Sequence, residues 1–272
     1  MTYNCEIWAP ALSNKDFLRL EAFFVKQLKR ILGVAIKMCN AAVHMELGTL
    51  PFKFLVQTSL VNFVVRLKFD PRKAAHLALF QELLTVDCRW TQFWKQTATE
   101  AEVALGEHSQ QFIRINTTFL LTTLYRRQLM AKVQHNAPLR LYRTLKDRHE
   151  FEPYLDRVSC VSARKSITEF RCGNTKLRVH TGRIHGERYE ERKCRFCMDP
   201  EKLEDETHIL LECECFQAQS QKLIKHLQRQ FPFFNRMDPA QKMKVIFTDK
   251  KLEKLFGNTL QSIFSEMEAY LF

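Results

Sequence analysis

The chain predicts a mainly α-helical protein: a helical bundle followed by a small Cys/His-rich module packed on C-terminal helices. Three observations carry this expectation. Only 7 glycines and 8 prolines stand against 22 phenylalanines in 272 residues, so tight β-turns are few. Apolar residues recur at three- and four-residue intervals over most of the chain. One stretch, CRFCMDPEKLEDETHILLEC from Cys194 to Cys213, collects metal-ligating side chains at knuckle spacing.

In order, residues 15–32 place Phe17, Leu20, Phe24, Leu28 and Ile31 on one helical face. Lys26, Lys29 and Arg30 sit toward the negative end of the dipole, Gly33 is a stop, and Asn14 is the expected N-cap. Residues 40–49 read as a connection leading to Pro51 at a first helical position. FKFLVQTSLVNFVVRLKF follows as an apolar helix. Its β-branched residues leave a strand open, although eighteen residues is long for one. Residues 74–85 and 89–105 are further helices, with Trp90, Phe93 and Trp94 read as core packing rather than base stacking. After a break at Gly106, residues 109–133 predict one long helix with Phe112, Ile115, Phe119, Thr122 and Arg126 along one side.

Residues 138–147 form a short helix. The seam at 148–154, where proline and aromatic residues replace the periodic pattern, separates an expected helical region 1–150 from a region 151–272. Residues 162–172 are helical and residues 176–188 a basic loop, with His180 and His185 expected as polar surface groups. Residues 218–230 give a basic amphipathic helix. Asp238 caps the next, with Pro239 at its first position, and residues 252–271 carry Leu255, Leu260, Ile263, Phe264 and Met267.

Composition narrows the class. Hydrophobic residues at 46% and charged residues at 26% exclude general disorder. A net charge of +12 favours a polyanionic partner. Nine cysteines without a signal-peptide pattern suit a reducing compartment, and no apolar run reaches membrane-spanning length. The expectation is an intracellular protein, in cytoplasm or nucleus, with no membrane partner.

The Cys194–Cys213 stretch has the ligand spacing Cys194-x2-Cys197-x10-His208-x4-Cys213. A Cys-x2-Cys turn aims two sulfurs at one point, and a His and a Cys five positions apart complete a tetrahedron. Zinc favours such four-coordination, and a closed Cys3His set leaves no position for a reacting water. The expected cofactor is therefore a structural Zn2+, with Cys215 open as a replacement for Cys213. Residues 157–195 hold eleven Lys or Arg against four acids, +7 of the chain's +12, whereas residues 199–214 hold seven acids and one lysine. That segregation suits a backbone-binding surface beside the metal.

The wording of the chain resembles the C-terminal, post-polymerase region of non-LTR (LINE-type) retrotransposon endonuclease/reverse transcriptases. NCEIWAP, then LKRILGV and HMELGTLPF, are similar to segments just downstream of that family's polymerase core. LRLYRTLKDRHEFEPYL, ITEFRCGNTKLRVHTGRIHG, EERKCRFC and EDETHILLECECF are similar to its run of motifs through the zinc knuckle, and PFFNRMDPAQKMKVIF to its usual end. The resemblance covers nearly the whole chain and is strongest over residues 139–216. It implies RNA or DNA as partner and Cys194, Cys197, His208 and Cys213 as metal ligands. Arg171, Lys176, Arg178 and Arg183 become the nearest nucleic-acid contacts. The basic stretch adds Arg164, Lys165, Arg188, Arg192, Lys193 and Arg195, and Phe196 stands at the knuckle tip either to stack on an unpaired base or to plug the metal site.

Polymerase chemistry does not carry over. It needs clustered carboxylates for two Mg2+ ions, and no two aspartates are adjacent here. Glu46 with His44, and Asp87 beside Cys88, read as ordinary structural or surface residues rather than a catalytic pair. The expectation is a non-catalytic nucleic-acid-binding fragment, with self-association possible through exposed helical faces. The alternative is a helical protein-interaction domain that does not bind nucleic acid.

Overall fold

A computed structural model describes residues 3–271 except Glu107 and Met198. The described residues are mainly helical, and their only β pairing is the isolated bridges Leu47–Phe151 and Lys193–Leu203. In chain order the helices are α1 (Cys5–Trp8), α2 (Asn14–Leu32), α3 (Asn40–Leu47), α4 (Phe52–Phe69), α5 (Ala74–Leu83), α6 (Arg89–Glu100) and α7 (Gln110–Gln134). There follow α8 (Arg140–Leu145), α9 (Tyr154–Arg157), α10 (Val161–Arg171), α11 (Arg178–Thr181), α12 (Gln217–Gln230), α13 (Pro239–Thr248) and α14 (Glu253–Leu271). Among the described residues no single helix is long and apolar enough to cross a membrane.

The chain forms two compact units, residues 1–27 with 49–131 and residues 28–48 with 132–272. The seam expected at 148–154 lies inside the second unit.

In the first unit, α4 is the axis. Leu60, Val61, Val64 and Val65 pack with Phe80, Trp94 and Ile113, and the Phe80 ring meets Trp90 and Trp94 edge-on at 6.0 and 5.8 Å. The β-branched residues of α4 therefore serve helix packing, not a strand, because α4 is covered on several sides. Its first turn is capped from a distance: the Glu21 carboxylate accepts from the Phe52 and Lys53 amides. Pro51 stands just outside the helix rather than at its first position. Ser13, not Asn14, caps α2, its hydroxyl accepting from the Asp16 amide.

The long helix α7 turns over the expected face. Ile113, Thr117, Leu121, Tyr125 and Leu129, four residues apart, are buried, whereas Phe112, Ile115 and Phe119 are 49%, 62% and 65% exposed. Both stripes have helical spacing, so periodicity cannot choose between them. Chemistry does: the Tyr125 hydroxyl donates to Gln57 Oε1 at 2.7 Å, and Gln57 Nε2 donates to Thr97 and Glu100. Such a satisfied buried network fixes one rotation of the helix.

In the second unit, residues 40–47 form helix α3 rather than the expected connection. Its residues from Ala41 to Glu46 are all buried, so it lacks the one-sided pattern that betrays a surface helix. α10 packs along α14. Phe170 lies among Phe247, Phe256 and Phe264, with ring centroids 5.9–6.3 Å away. The two helices close where Gly257 faces Ala163, since a Cβ at Gly257 would stand 2.9 Å from the Ala163 Cβ. Gly257→Val is expected to cost about 1–3 kcal/mol by overpacking, read as a lowered urea midpoint. Asp238 caps α13 as expected, with Pro239 first and Gln241 completing a capping box.

Candidate metal centre and its basic surroundings

A short hairpin sets the knuckle. The Cys194 amide donates to Lys202 O and the Glu204 amide to Arg192 O, both at 2.9 Å, with Lys193 and Leu203 bridged between them. This pairing holds Cys194 and Cys197 on one tight turn. Downstream, residues His208–Glu212 form one wide π turn, closed by the Cys213 amide donating to His208 O at 2.7 Å. In an α-helix residues five apart point about 140° away from each other. The wide turn removes that divergence and returns Cys213 to the side of His208, a common use of π geometry at functional sites.

The four expected ligands converge, with ligand atoms all within 4.8 Å of one another. Cys194 Sγ lies 4.0 Å from Cys213 Sγ, and Cys197 Sγ lies 3.4 Å from His208 Nε2. Zinc–sulfur bonds of about 2.3 Å and zinc–nitrogen bonds of about 2.0 Å at tetrahedral angles put sulfurs about 3.8 Å apart and sulfur about 3.5 Å from nitrogen. The donor set fits such an ion. His208 Nδ1 is buried with the Glu212 carboxylate 3.8 Å away, which leaves Nε2 as the ligand nitrogen. Cys213 joins the cluster; Cys215 does not.

The electrostatics point the same way. The hydrogen bond from Cys213 pulls the Cys194 thiol down to about 3, while that pairing and burial push Cys213 well up. Two buried sulfurs this close resist joint ionisation until a cation sits between them.

Around the cluster the charges segregated in sequence are paired in space. Glu204 is fully buried; its carboxylate accepts from the Arg178 amide at 2.8 Å and from Arg195 Nε and Nη2 at 2.9 and 2.7 Å. Glu206 accepts from Arg140, and His180 Nε2 meets it at 3.0 Å while His180 Nδ1 meets the Thr175 hydroxyl at 2.8 Å. Burial opposes the Glu206 charge, but His180 and Arg140 hold its carboxyl below the usual range. His180 is thus an internal strut, not the surface group the sequence suggests; His185 is exposed. Glu204→Ala is expected to weaken metal binding about 10–100-fold, because it holds the knuckle turn from behind, as competition with a chromophoric chelator would show.

The expected nucleic-acid contacts divide sharply. Arg171 is only 4% exposed; its guanidinium is held by Glu46 at 3.2 Å and Glu152 at 3.1 Å and lies over the Tyr154 and Phe247 rings. It cannot reach a phosphate. Burial opposes its charge, but Glu46 and Glu152 outweigh burial and raise its pKa. Arg164 donates to Leu155 O, and Arg192 to the Val179 and Glu187 carbonyls. Arg178 pairs with Glu187, Arg188 with Glu191, Arg195 with Glu204 and Lys176 with Glu268. Of these pairs Arg188, Lys176 and Arg195 remain exposed and Arg178 half-buried. Lys193 is half-buried, and Lys165 and Arg183 are exposed. Phe196 is packed against Phe216 at 5.0 Å and Tyr270 at 5.9 Å, a plug rather than an exposed stacking platform.

Sequence reasoning missed Glu46, Glu204 and Glu206 as organising groups. Glu46 stands 125 residues from Arg171, and no local pattern marks such a pair. The acidic residues 199–214 gave the only signal for the other two. No family model, no curated protein and no solved structure matches the chain.

Proposed function

We propose that the chain is a non-catalytic nucleic-acid-binding module whose C-terminal unit is stapled by a structural zinc ion. In this reading it corresponds to the post-polymerase region of a non-LTR retrotransposon reverse transcriptase. The convergence of Cys194, Cys197, His208 and Cys213 is the observation that carries it. Four protein ligands close the coordination shell, so the ion supplies shape rather than an activated water. The surplus of +12 supplies attraction to phosphates. The exposed cations, Lys165, Arg183 and Arg188 among them, are the ones that serve it; Arg171 serves the core.

Fluorescence anisotropy with labelled single-stranded RNA, single-stranded DNA and duplex DNA across a salt series tests this. About three phosphate contacts on a single strand give a log–log salt slope of about −2. Binding that ignores salt, or no binding at low salt, contradicts the reading.

One observation favours a second reading. Phe112, Ile115 and Phe119 form an exposed apolar stripe on α7, the kind of surface that marks a protein partner or a second copy. In that case partner binding is salt-insensitive and is lost in Phe119→Glu.

A further inference from the structure

The first unit holds a groove of about 520 Å³ beside α5. It runs along the helix from Lys73 through His76 and Leu79 to Leu83, with Ile7, Leu67 and Trp90 among its other walls. Apart from Lys73 and His76 every wall residue is apolar, and no carboxylate lines it. Helix α5 is more apolar than the fold around it requires. Seven of its ten residues, AAHLALFQEL, are apolar, yet Phe80 alone is buried. Leu79 is 69% exposed, Ile7 53% and Leu83 37%. A helix apolar on several sides is normally covered on several sides, and exposed apolar surface gathered in one groove marks a binding site.

Lys73 supplies the second observation. It is half-buried at one end of the groove. Asp70, three residues before it, is already engaged: its carboxylate accepts from Arg72 Nε at 2.9 Å and from Arg72 Nη2 at 3.1 Å. Lys73 acts on Asp70 only at longer range, and among the described residues it has no ion pair of its own. A half-buried ammonium at the end of an apolar groove calls for an anion with an apolar body.

Length and volume select the kind of body. Lys73 and Leu83 are ten residues apart, about 15 Å along a helix, which an extended alkyl chain of about twelve carbons spans. The volume is that of a small-molecule site. A partner helix of the same length, about 10 Å across, needs about twice that space. We infer that the groove binds a single-chain amphiphile with an anionic head, a medium-chain carboxylate. Its head pairs with Lys73 and its chain lies over Leu79 toward Leu83. The site is independent of the metal centre and of the nucleic-acid reading.

The test titrates the full zinc-loaded chain with dodecanoate bearing a terminal bromine and follows tryptophan emission, because Trp90 lines the groove and bound bromine quenches it. Unlabelled saturated carboxylates of increasing length then compete. Affinity is expected to rise about fourfold per methylene and to level off near about twelve carbons. Dodecanol and dodecyltrimethylammonium are expected to compete about tenfold less well, since they offer Lys73 no charged acceptor. Lys73→Gln removes that preference and leaves dodecanol unchanged. Leu79→Asp weakens every ligand. Leu79 is exposed, so its variant stays informative if Lys73→Gln fails to fold, which circular dichroism reports. Competition that ignores head group or chain length, or a head preference that survives Lys73→Gln, would overturn the inference. No binding of any amphiphile would overturn it too and leave the groove to a protein partner.

Discussion

Chelation of the metal, or Cys194→Ser, is expected to open residues 192–215 to protease while α4, α6 and α7 stay folded. Cys194, His208, Ile209, Leu210 and Cys213 are buried, but Cys197 is half-exposed and residues 199–202 form a polar turn at the surface. Metal binding is then folding free energy for this segment, on the order of 10 kcal/mol for structural zinc in small knuckles at neutral pH. The effect reaches further through Glu204 and Glu206, which tie the segment to the start of α11 and to Arg140. Limited proteolysis with mass-spectrometric mapping reads the outcome. Cleavage sites that do not change on chelation would separate the cluster from the fold of this segment.

The second large effect lies at the Glu46–Arg171 pair. Glu46 has no exposed surface, and besides Arg171 it accepts from the Tyr154 hydroxyl at 2.6 Å; Thr168 shares that hydroxyl at 2.7 Å. Removing Glu46 leaves Arg171, which water cannot reach, with Glu152 as its remaining carboxylate. Glu46→Ala is therefore expected to cost about 3–5 kcal/mol, measured by urea denaturation. Glu46→Ala with Arg171→Leu removes both charges and is expected to recover part of that loss, since an apolar pair carries no desolvation penalty. Equal destabilisation by the single and double variants would contradict the coupling. Arg171→Ala, by contrast, is a poor probe of nucleic-acid binding, because it unfolds what it is meant to test.

What the sequence shows and what it hides follow from range. Helices α2, α4, α5, α7, α10 and α12 to α14 stand close to their expected bounds, because each has a one-sided or continuous apolar pattern and a cap or breaker nearby, whereas α6 ends at Glu100 rather than at residue 105. The metal cluster was legible because its ligand types are rare and their spacing is local. Helix α3 was hidden by being buried all round, and the face of α7 by having two apolar stripes. The basic stretch misled for a different reason. Counting charges over residues 157–195 assumes they are unpaired, yet Arg171 is claimed by Glu46, Arg195 by Glu204 and Lys176 by Glu268, across 125, 9 and 92 residues. A guanidinium that matches a distant carboxylate looks, in sequence, the same as one that meets a phosphate.

Cobalt substitution of the purified chain tests the metal centre most directly. Tetrahedral Co2+ bound to thiolates absorbs strongly in the visible, and its sulfur-to-metal bands report the number of thiolates. The predicted result is one equivalent with three thiolates and one imidazole, displaced by zinc, unchanged in Cys215→Ala and lost in Cys213→Ala. No tetrahedral spectrum from a folded chain, or a spectrum that survives Cys213→Ala, would contradict this ligand set.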